Sequence, residues 1–339
     1  MRLHLFQRPG TICPVLSRGW ALYPPFHGPS RRVRIASPSR LVSLLLLAAL
    51  AAGGLAVVLS AVAPGGAWWG GLGGLLIVAL GLRRPWRRWR VARQVLSAQD
   101  QAWLAAHVPV YHAAEPAARR RFERDLLFFL DENTFEGVAG TEVTEALKLQ
   151  VAAGAALLLH GRPTWELPGG RTILFYPTTF DDDYYGGTDA ADFDGMVHDQ
   201  GPIILSVPAV REGWRRANGS NVVLHELAHL FDMESEGADG VPSLVARGSE
   251  EAWRRLVRRE IQRIRIGKSV LRRYGATNAS ELFAVAVEMF FERPRRLHRH
   301  HRPLYDGLVA LFNLDPMHYL PPDPPVAPRP DDPVNTEAS

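Results

Sequence analysis

The sequence predicts an α+β domain over residues 101–318, preceded by a transmembrane helical hairpin. Three observations carry that reading. Two long uncharged runs near the N-terminus are flanked on their outer sides by arginine. Further on, Arg171–Pro177 and Gly201–Val207 are short apolar runs bounded by Gly and Pro, the pattern of strands. Around them lie segments with helical spacing of apolar residues, one of which places two histidines four positions apart.

Residues 1–40 are rich in Pro and Arg without periodicity and are expected to be disordered. An upstream, mis-chosen start is the alternative, and it would make the protein cytoplasmic. Leu41–Ala63 holds 23 residues without a charge, enough at 1.5 Å per residue to span a bilayer. A signal peptide cleaved after Ala61, Val62 and Ala63 competes with that reading. Against it stand the long leading segment and Pro64 directly after the site. Ala67–Leu82, with two Trp and five Gly, is a shorter second run that needs its flanks to span. Arg31, Arg32, Arg34 and Arg40 precede the first run, and Arg83, Arg84, Arg87, Arg88, Arg90 and Arg93 follow the second. Only Pro64, Gly65 and Gly66 separate the runs, so residues 41–82 read as two membrane helices with both outer ends in the cytoplasm. Trp68, Trp69, Trp86 and Trp89 suit the interfacial belts, and residues 83–100 read as a basic juxtamembrane linker.

Charge divides the same way. Residues 1–100 hold 13 Arg and one acid, a net of +12, and the remainder carries −8 of the chain's total of +4. The basic character therefore belongs to the membrane flanks and argues against a nucleic-acid site on the following domain. Cys13 is the only cysteine, which excludes an internal disulfide and fits a reducing compartment. Within the domain, helices are expected over Pro116–Leu130, Thr141–Leu159, Glu250–Ile266, Asn278–Glu292 and Pro303–Phe312. Asp181–Gln200, rich in Asp, Gly and Tyr, reads as a long loop over a cleft, and residues 319–339 as a Pro-rich disordered tail. There are no internal repeats.

The chemistry is concentrated in N-V-V-L-H-E-L-A-H-L-F-D, where His225 and His229 fall on one helix face and can share a metal ion. Glu226 lies between them, placed to act as general base toward water at that ion. Asn218, Gly219 and Ser220 supply polar choices for the helix cap. A buried amphipathic helix with satisfied core histidines is the plain alternative. A catalytic zinc site requires a third protein ligand. The spacing H-E-x-x-H-x-x-G-x-x-H fails here, since Asp232 and Ser235 stand where Gly and His are needed. The better source is the downstream helix Y-G-A-T-N-A-S-E-L-F-A-V-A-V-E-M-F-F, whose Glu281 and Glu288 lie seven residues apart on nearly one face. Glu281 also fits a capping box with Asn278, so spacing leaves cap and ligand balanced. Glu288 is either the fallback ligand or a group that holds a histidine ring.

These blocks, with G-A-D-G-V-P, F-E-G-V at Phe135–Val138, I-L-F-Y-P at Ile173–Pro177 and Q-G-P-I-I-L-S at Gln200–Ser206, resemble the bacterial Mlc titration factor A family of zinc peptidases. The resemblance runs from about Trp103 to Pro316, and Tyr274–Glu281 is also similar to the catalytic domain of anthrax lethal factor. It implies a zincin-like, gluzincin-type metallopeptidase domain with Zn2+ held by His225, His229 and Glu281, Glu226 as base, and Tyr274 as hydrogen-bond donor to the oxyanion. His198 in G-M-V-H-D-Q resembles a histidine that can approach the metal as a fourth ligand, with an ordinary loop histidine as the alternative. In peptidases of this build the strand bordering the cleft accepts the substrate as an added strand. Ile203, Ile204, Leu205 and Ser206 are the candidate edge, or else a core strand. The expected function is a zinc-dependent peptidase acting on peptides or proteins, held at the bacterial inner membrane and facing the cytoplasm. The alternative is a binding protein that sequesters a transcriptional repressor. Glu226 and Tyr274 favour the enzyme, because a pure binder needs neither base nor oxyanion donor.

Overall fold

The computed structural model describes residues 38–62, 65, 67–163, 165–178, 195–197, 201–233 and 249–320. Its helices are α1 (Pro38–Val62), α2 (Ala67–Val91), α3 (Ala98–His107), α4 (Pro109–Ala113), α5 (Pro116–Glu132), α6 (Glu145–Leu159), α7 (Val207–Arg215), α8 (Val222–Met233), α9 (Glu250–Arg265), α10 (Ala279–Glu292), α11 (Pro294–His300) and α12 (Arg302–Phe312). Its strands are β1 (Thr134–Gly137), β2 (Thr172–Tyr176), β3 (Gly195–Val197) and β4 (Ile203–Ser206). They form one mixed sheet in the order β1-β2-β4-β3. The pairs β1–β2 and β2–β4 are parallel, and β3 runs antiparallel to β4. The five helices expected in the domain all form, with ends shifted by a few residues. The molecule is thus mostly helical with a small sheet.

That topology corrects one expectation. Ile203, Ile204 and Leu205 pair with Ile173, Leu174 and Phe175 of β2 on one side and with Val197, Met196 and Gly195 of β3 on the other. The strand Ile203–Ser206 is therefore interior. Its apolar run fits that position, because Ile203, Leu205 and Ser206 are buried. Among the described residues the edges are β1 and β3, and β3 lies within the stretch expected to be loop. The remainder of Asp181–Gln200, His198 included, lies outside the described residues, as do residues 1–37 and 321–339.

The core is organised by α6, in which every residue from Val151 to Leu159 is buried. Such an all-round apolar helix survives only if covered on all sides. It packs on α5, α7 and α8. Gly154 sets the approach to α8: a Cβ there would stand 2.6 Å from a methyl of Val223, so any larger residue would push α8 away. Thr144 starts α6 by accepting a hydrogen bond from the Leu147 N–H at 3.3 Å.

At the N-terminus α1 and α2 pack antiparallel. Gly70 and Gly74 of α2 face Ala52 and Ala48 of α1, where a Cβ on Gly70 would meet the Ala52 carbonyl oxygen at 2.4 Å. Among the described residues one helix is long and apolar enough to cross a membrane, Leu41–Val62 within α1. The second apolar run forms the first part of α2. Residues 83–91, expected to begin a linker, continue that helix despite Pro85. The reason lies in their arginines, which are engaged by carboxylates of the domain. Arg88 donates through Nε and Nη2 to Glu132 and through Nη1 to Glu166 at 2.7 Å. Arg87 donates to the Asp131 carboxylate at 2.6 Å, and Arg84 to Glu132 at 3.0 Å. Arg88 also lies over the Phe128 ring, 5.0 Å from its centroid.

Arg88 and Glu132 are nearly buried, with side chains 7% and 9% exposed, so removing one partner strands a charge in a low-dielectric setting. Arg88→Ala is expected to destabilise the docking of α2 by about 3 kcal/mol. A lowered thermal midpoint of the purified chain checks this, with Arg83→Ala, at an exposed position of the same helix, leaving the midpoint in place.

Candidate metal centre

The site is assembled by α8 and α10, two of the most apolar helices of the domain. On α8, Leu224, Leu227, Ala228, Leu230 and Phe231 are buried. Each large side chain contributes roughly 1.5–3 kcal/mol to seating the helix. Its N-terminus is capped by Asn221, whose Oδ1 accepts from the N–H groups of Val223 at 3.1 Å and Leu224 at 3.3 Å. This corrects the expected cap at Asn218, Gly219 or Ser220. Asn218 instead accepts from the Ser220 N–H at 2.7 Å, and Gly219 takes the positive φ of +94° that this turn requires. The side-chain amide of Asn221 reaches the Gly213 carbonyl at 3.0 Å, tying α8 to α7.

With α8 so held, His225 and His229 stand one turn apart with ring centroids separated by 4.9 Å. Glu281 comes from the first turn of α10, where Asn278 is the cap and accepts from the Glu281 backbone N–H at 2.9 Å. The backbone of Glu281 therefore serves the cap while its carboxylate faces the histidines. Its Oε2 lies 3.0 Å from His225 Nε2 and 3.5 Å from His229 Nε2. The three side chains offer ligand atoms all within 4.8 Å of one another.

The outer nitrogens of both rings are also engaged. His225 Nδ1 lies 2.8 Å from Glu288 Oε1, and His229 Nδ1 lies 3.0 Å from Ser280 Oγ. Glu288 is fully buried and accepts three bonds: the one from His225, one from Arg272 at 2.5 Å, and one from the Asn221 backbone N–H at 2.5 Å. Its position matches the ring-holding alternative, since it contacts His225 at Nδ1 and lies behind the ring. One turn on, Glu292 accepts from the Gly219 N–H and from the Asn221 amide, both at 3.3 Å. Glu281, Glu288 and Glu292 thus let one helix address the metal position, the histidine ring and the cap of the opposing helix.

Glu226 is buried beside the histidines, and its Oε2 has no hydrogen-bond partner among the described residues. Burial pushes its carboxyl up to about 7, against the pull of the two imidazoles. For His225, burial opposes the charged form, but Glu288 and Glu281 outweigh it and raise the ring to about 10. Glu281 is driven the other way: burial would raise it, and the two histidines hold it well below the usual carboxylate range. The Tyr274 ring lies 5.8 Å from the His225 ring, its phenol pushed up by burial and by the charges of Glu281 and Glu226. Tyr274 enters on the 3-10 turn Arg273–Ala276, which packs against α9 and α10.

The donor set fits a divalent cation. Two imidazoles and one carboxylate, each ring nitrogen on the far side already taken by an oxygen, form the usual first shell of a three-ligand zinc site with its supporting hydrogen bonds. Of the residues singled out from sequence, His225, Glu226, His229, Tyr274 and Glu281 come together, and Glu288 stands directly behind His225. Ser206 instead caps α7, accepting from the Ala209 N–H at 3.3 Å. Sequence reasoning missed Asn221, Ser280, Arg272 and Glu292. Asn221 was readable as the residue just before the apolar helix run, and Glu292 as one turn beyond Glu288. Arg272 and Ser280 carry no spacing signal of their own.

Comparison with known proteins agrees with this arrangement. Residues 83–313 match the family model described as glucose-regulated metallo-peptidase M90. An uncharacterised protein of Synechocystis sp. is 30% identical over 248 residues, covering 68% of this chain and 90% of its own length. Proteins named Mlc titration factor A from Yersinia pestis and Yersinia pseudotuberculosis are 24% identical over 251 residues, covering 68% of this chain and 91% of theirs. The match spans the helices that carry the candidate ligands and begins at the arginines of α2. The chain belongs to the M90 family of metallopeptidases.

Proposed function

We propose that the protein is a zinc-dependent peptidase, tethered in the bacterial inner membrane with its peptidase domain in the cytoplasm. The carrying observation is the convergence of His225, His229 and Glu281 on one point, with Glu226 buried and incompletely partnered beside them. Zinc bound there would polarise a peptide carbonyl and acidify water. The chain's own residues do the rest. Glu226 takes a proton from the attacking water at its free carboxylate oxygen and returns it to the departing amine nitrogen. Tyr274 donates a hydrogen bond to the carbonyl oxygen as it gains charge. Glu288 and Ser280 fix the ring orientations of His225 and His229.

Substrate would add as an extended strand along the outer side of β3, which among the described residues is the sheet edge next to α8. The membrane reading rests on α1 and on the apolar surface of the helix pair. Leu50 is 75% exposed and Trp68 81%, and such side chains in a contiguous patch call for lipid. Arginines on both outer flanks support a cytoplasmic position for the two ends. A second reading draws on the name of the Yersinia relatives: capture of a transcriptional regulator, with hydrolysis secondary. The buried Glu226, with one carboxylate oxygen left free among the described residues, favours the enzyme, because a binding surface gains nothing from a buried base.

The test uses the full chain purified in detergent. It should bind about one zinc per chain, and its hydrolysis of unstructured peptides should vanish on chelation and return with zinc. C-terminal reporter fusions should show a fluorescent cytoplasmic fusion and a silent phosphatase fusion. The reverse pattern would remove the cytoplasmic assignment, and a chelator-insensitive activity would remove the zinc mechanism.

A further inference from the structure

Arg272 sits two residues before Tyr274 and is the cap residue of the 3-10 turn that presents the phenol. Its side chain is half-buried, and its guanidinium turns toward α10. Nη2 donates to Glu288 Oε1 at 2.5 Å, the same oxygen that lies 2.8 Å from His225 Nδ1. Its backbone carbonyl accepts from the Gly275 N–H at 3.1 Å, within the turn itself. One side chain therefore joins the segment bearing Tyr274 to the carboxylate that orients a candidate metal-binding histidine.

The other end of this segment is pinned independently. His301, fully buried, accepts at Nε2 from the Val270 backbone N–H at 3.3 Å and lies 3.1 Å from Ser269 Oγ. Its Nδ1 is held by Glu260, itself buried on α9. Ser269 in turn accepts from the Leu271 N–H at 3.1 Å. The polar order Ser269–His301–Glu260 has the look of a nucleophile with its base. But His301 Nε2 is shared with a backbone donor, so the trio acts as a clamp on residues 269–271. The clamp leaves Arg272 and Tyr274 with little freedom, and Arg272 as the direct link to the metal site.

We propose that Arg272 is a positioning residue that couples the placement of Tyr274 to the orientation of His225 through Glu288. The proposal rests on the zinc-peptidase reading. It goes further by making metal affinity and oxyanion stabilisation depend on one guanidinium that touches neither metal nor substrate. Neutralising Glu288 with a hydrogen-bonded arginine also keeps that buried carboxylate aimed at His225 and the Asn221 N–H rather than turning toward solvent.

The experiment measures zinc affinity, by competition with a chelator, and peptide turnover at saturating zinc, on the full chain and its Arg272→Ala, Arg272→Lys and Tyr274→Phe variants. Arg272→Ala should lower zinc affinity by about 10- to 100-fold, the range for losing an outer-shell partner. Turnover should stay depressed even when zinc saturates, with the loss in kcat rather than KM. Arg272→Lys, which keeps the charge, should recover part of both. The double variant Arg272→Ala/Tyr274→Phe should lose less than the two single effects multiplied, because both act on the same oxyanion contact. Wild-type zinc affinity in Arg272→Ala, full recovery of turnover by added zinc, or strictly multiplicative losses would each overturn the coupling. Should Arg272→Ala fail to fold, Arg272→Lys decides alone: a variant matching wild type in both readouts would show that only charge is needed and overturn the positioning role. Absence of zinc binding by the wild-type chain would instead defeat the zinc-peptidase reading, so the two failures are distinguishable.

Discussion

Glu226→Gln is expected to leave the zinc in place and to lower peptide hydrolysis by about 10²–10⁴-fold, the range for loss of a positioned general base. The substitution preserves size and helix propensity, and Glu226 is not among the three converging ligands. Glutamine keeps an oxygen at the site but cannot accept the proton of the attacking water. Burial pushes the carboxyl of Glu226 up to about 7. A divalent cation held by the neighbouring histidines would add positive charge and lower that value, favouring the ionised, basic form at neutral pH. Metal content by elemental analysis and turnover on an unstructured peptide provide the two readouts. Wild-type turnover with zinc retained would sink the proposed chemistry.

The contrast between what could and could not be read from the chain follows from range of interaction. The helix bearing His225 and His229 was legible because ligand spacing and helix period coincide at four residues. Strands at Arg171–Pro177 and Gly201–Val207 were legible as apolar runs, but their neighbours were not. Whether Ile203–Ser206 lies inside the sheet or at its rim depends on Gly195–Val197, a three-residue strand with no alternation long enough to detect. Asn278 and Glu281 show the same limit differently. The capping pattern and the ligand pattern predict the same residue at the same position, and local spacing cannot separate them. In the structure the cap uses the Glu281 backbone N–H, which leaves the carboxylate free for the histidines of another helix. The arginines after the second apolar run were legible as positive flank. Their pairing with Asp131, Glu132 and Glu166 was not, because those partners lie 44 to 78 residues away along the chain. The soluble fragment best suited to study therefore begins at Arg83, where the family match begins, rather than after α2. A cut at residue 98 would strand the nearly buried Glu132 without Arg88.

Glu281→Ala should abolish tight zinc binding while leaving the fold intact, and the reasons for expecting both lie in the same helix turn. The side chain of Glu281 makes no cap contact that α10 depends on, since Asn278 accepts from its backbone N–H and alanine supplies that donor equally well. Alanine is also the better helix former, so the secondary structure should hold, while the thermal midpoint without metal should fall modestly through loss of the carboxylate that faces the two histidines. The metal position, in contrast, loses its one carboxylate and with it a third of its protein ligands. The loss in affinity should exceed the roughly 10- to 100-fold that removal of an outer partner costs. Glu288→Gln supplies that internal standard. It keeps an acceptor near His225 Nδ1 but gives up the negative charge that Arg272 and the Asn221 N–H converge on. Its zinc affinity should therefore fall within the outer-partner range, and the fold should suffer more than in Glu281→Ala, because Glu288 is fully buried at the junction of α8 and α10. Competition titrations on both variants, alongside thermal unfolding without metal, order the two effects. If Glu281→Ala kept full zinc affinity while Glu288→Gln lost it, the carboxylate ligand would be Glu288, and the contact of Glu281 with the two rings would be a feature of the metal-free protein alone.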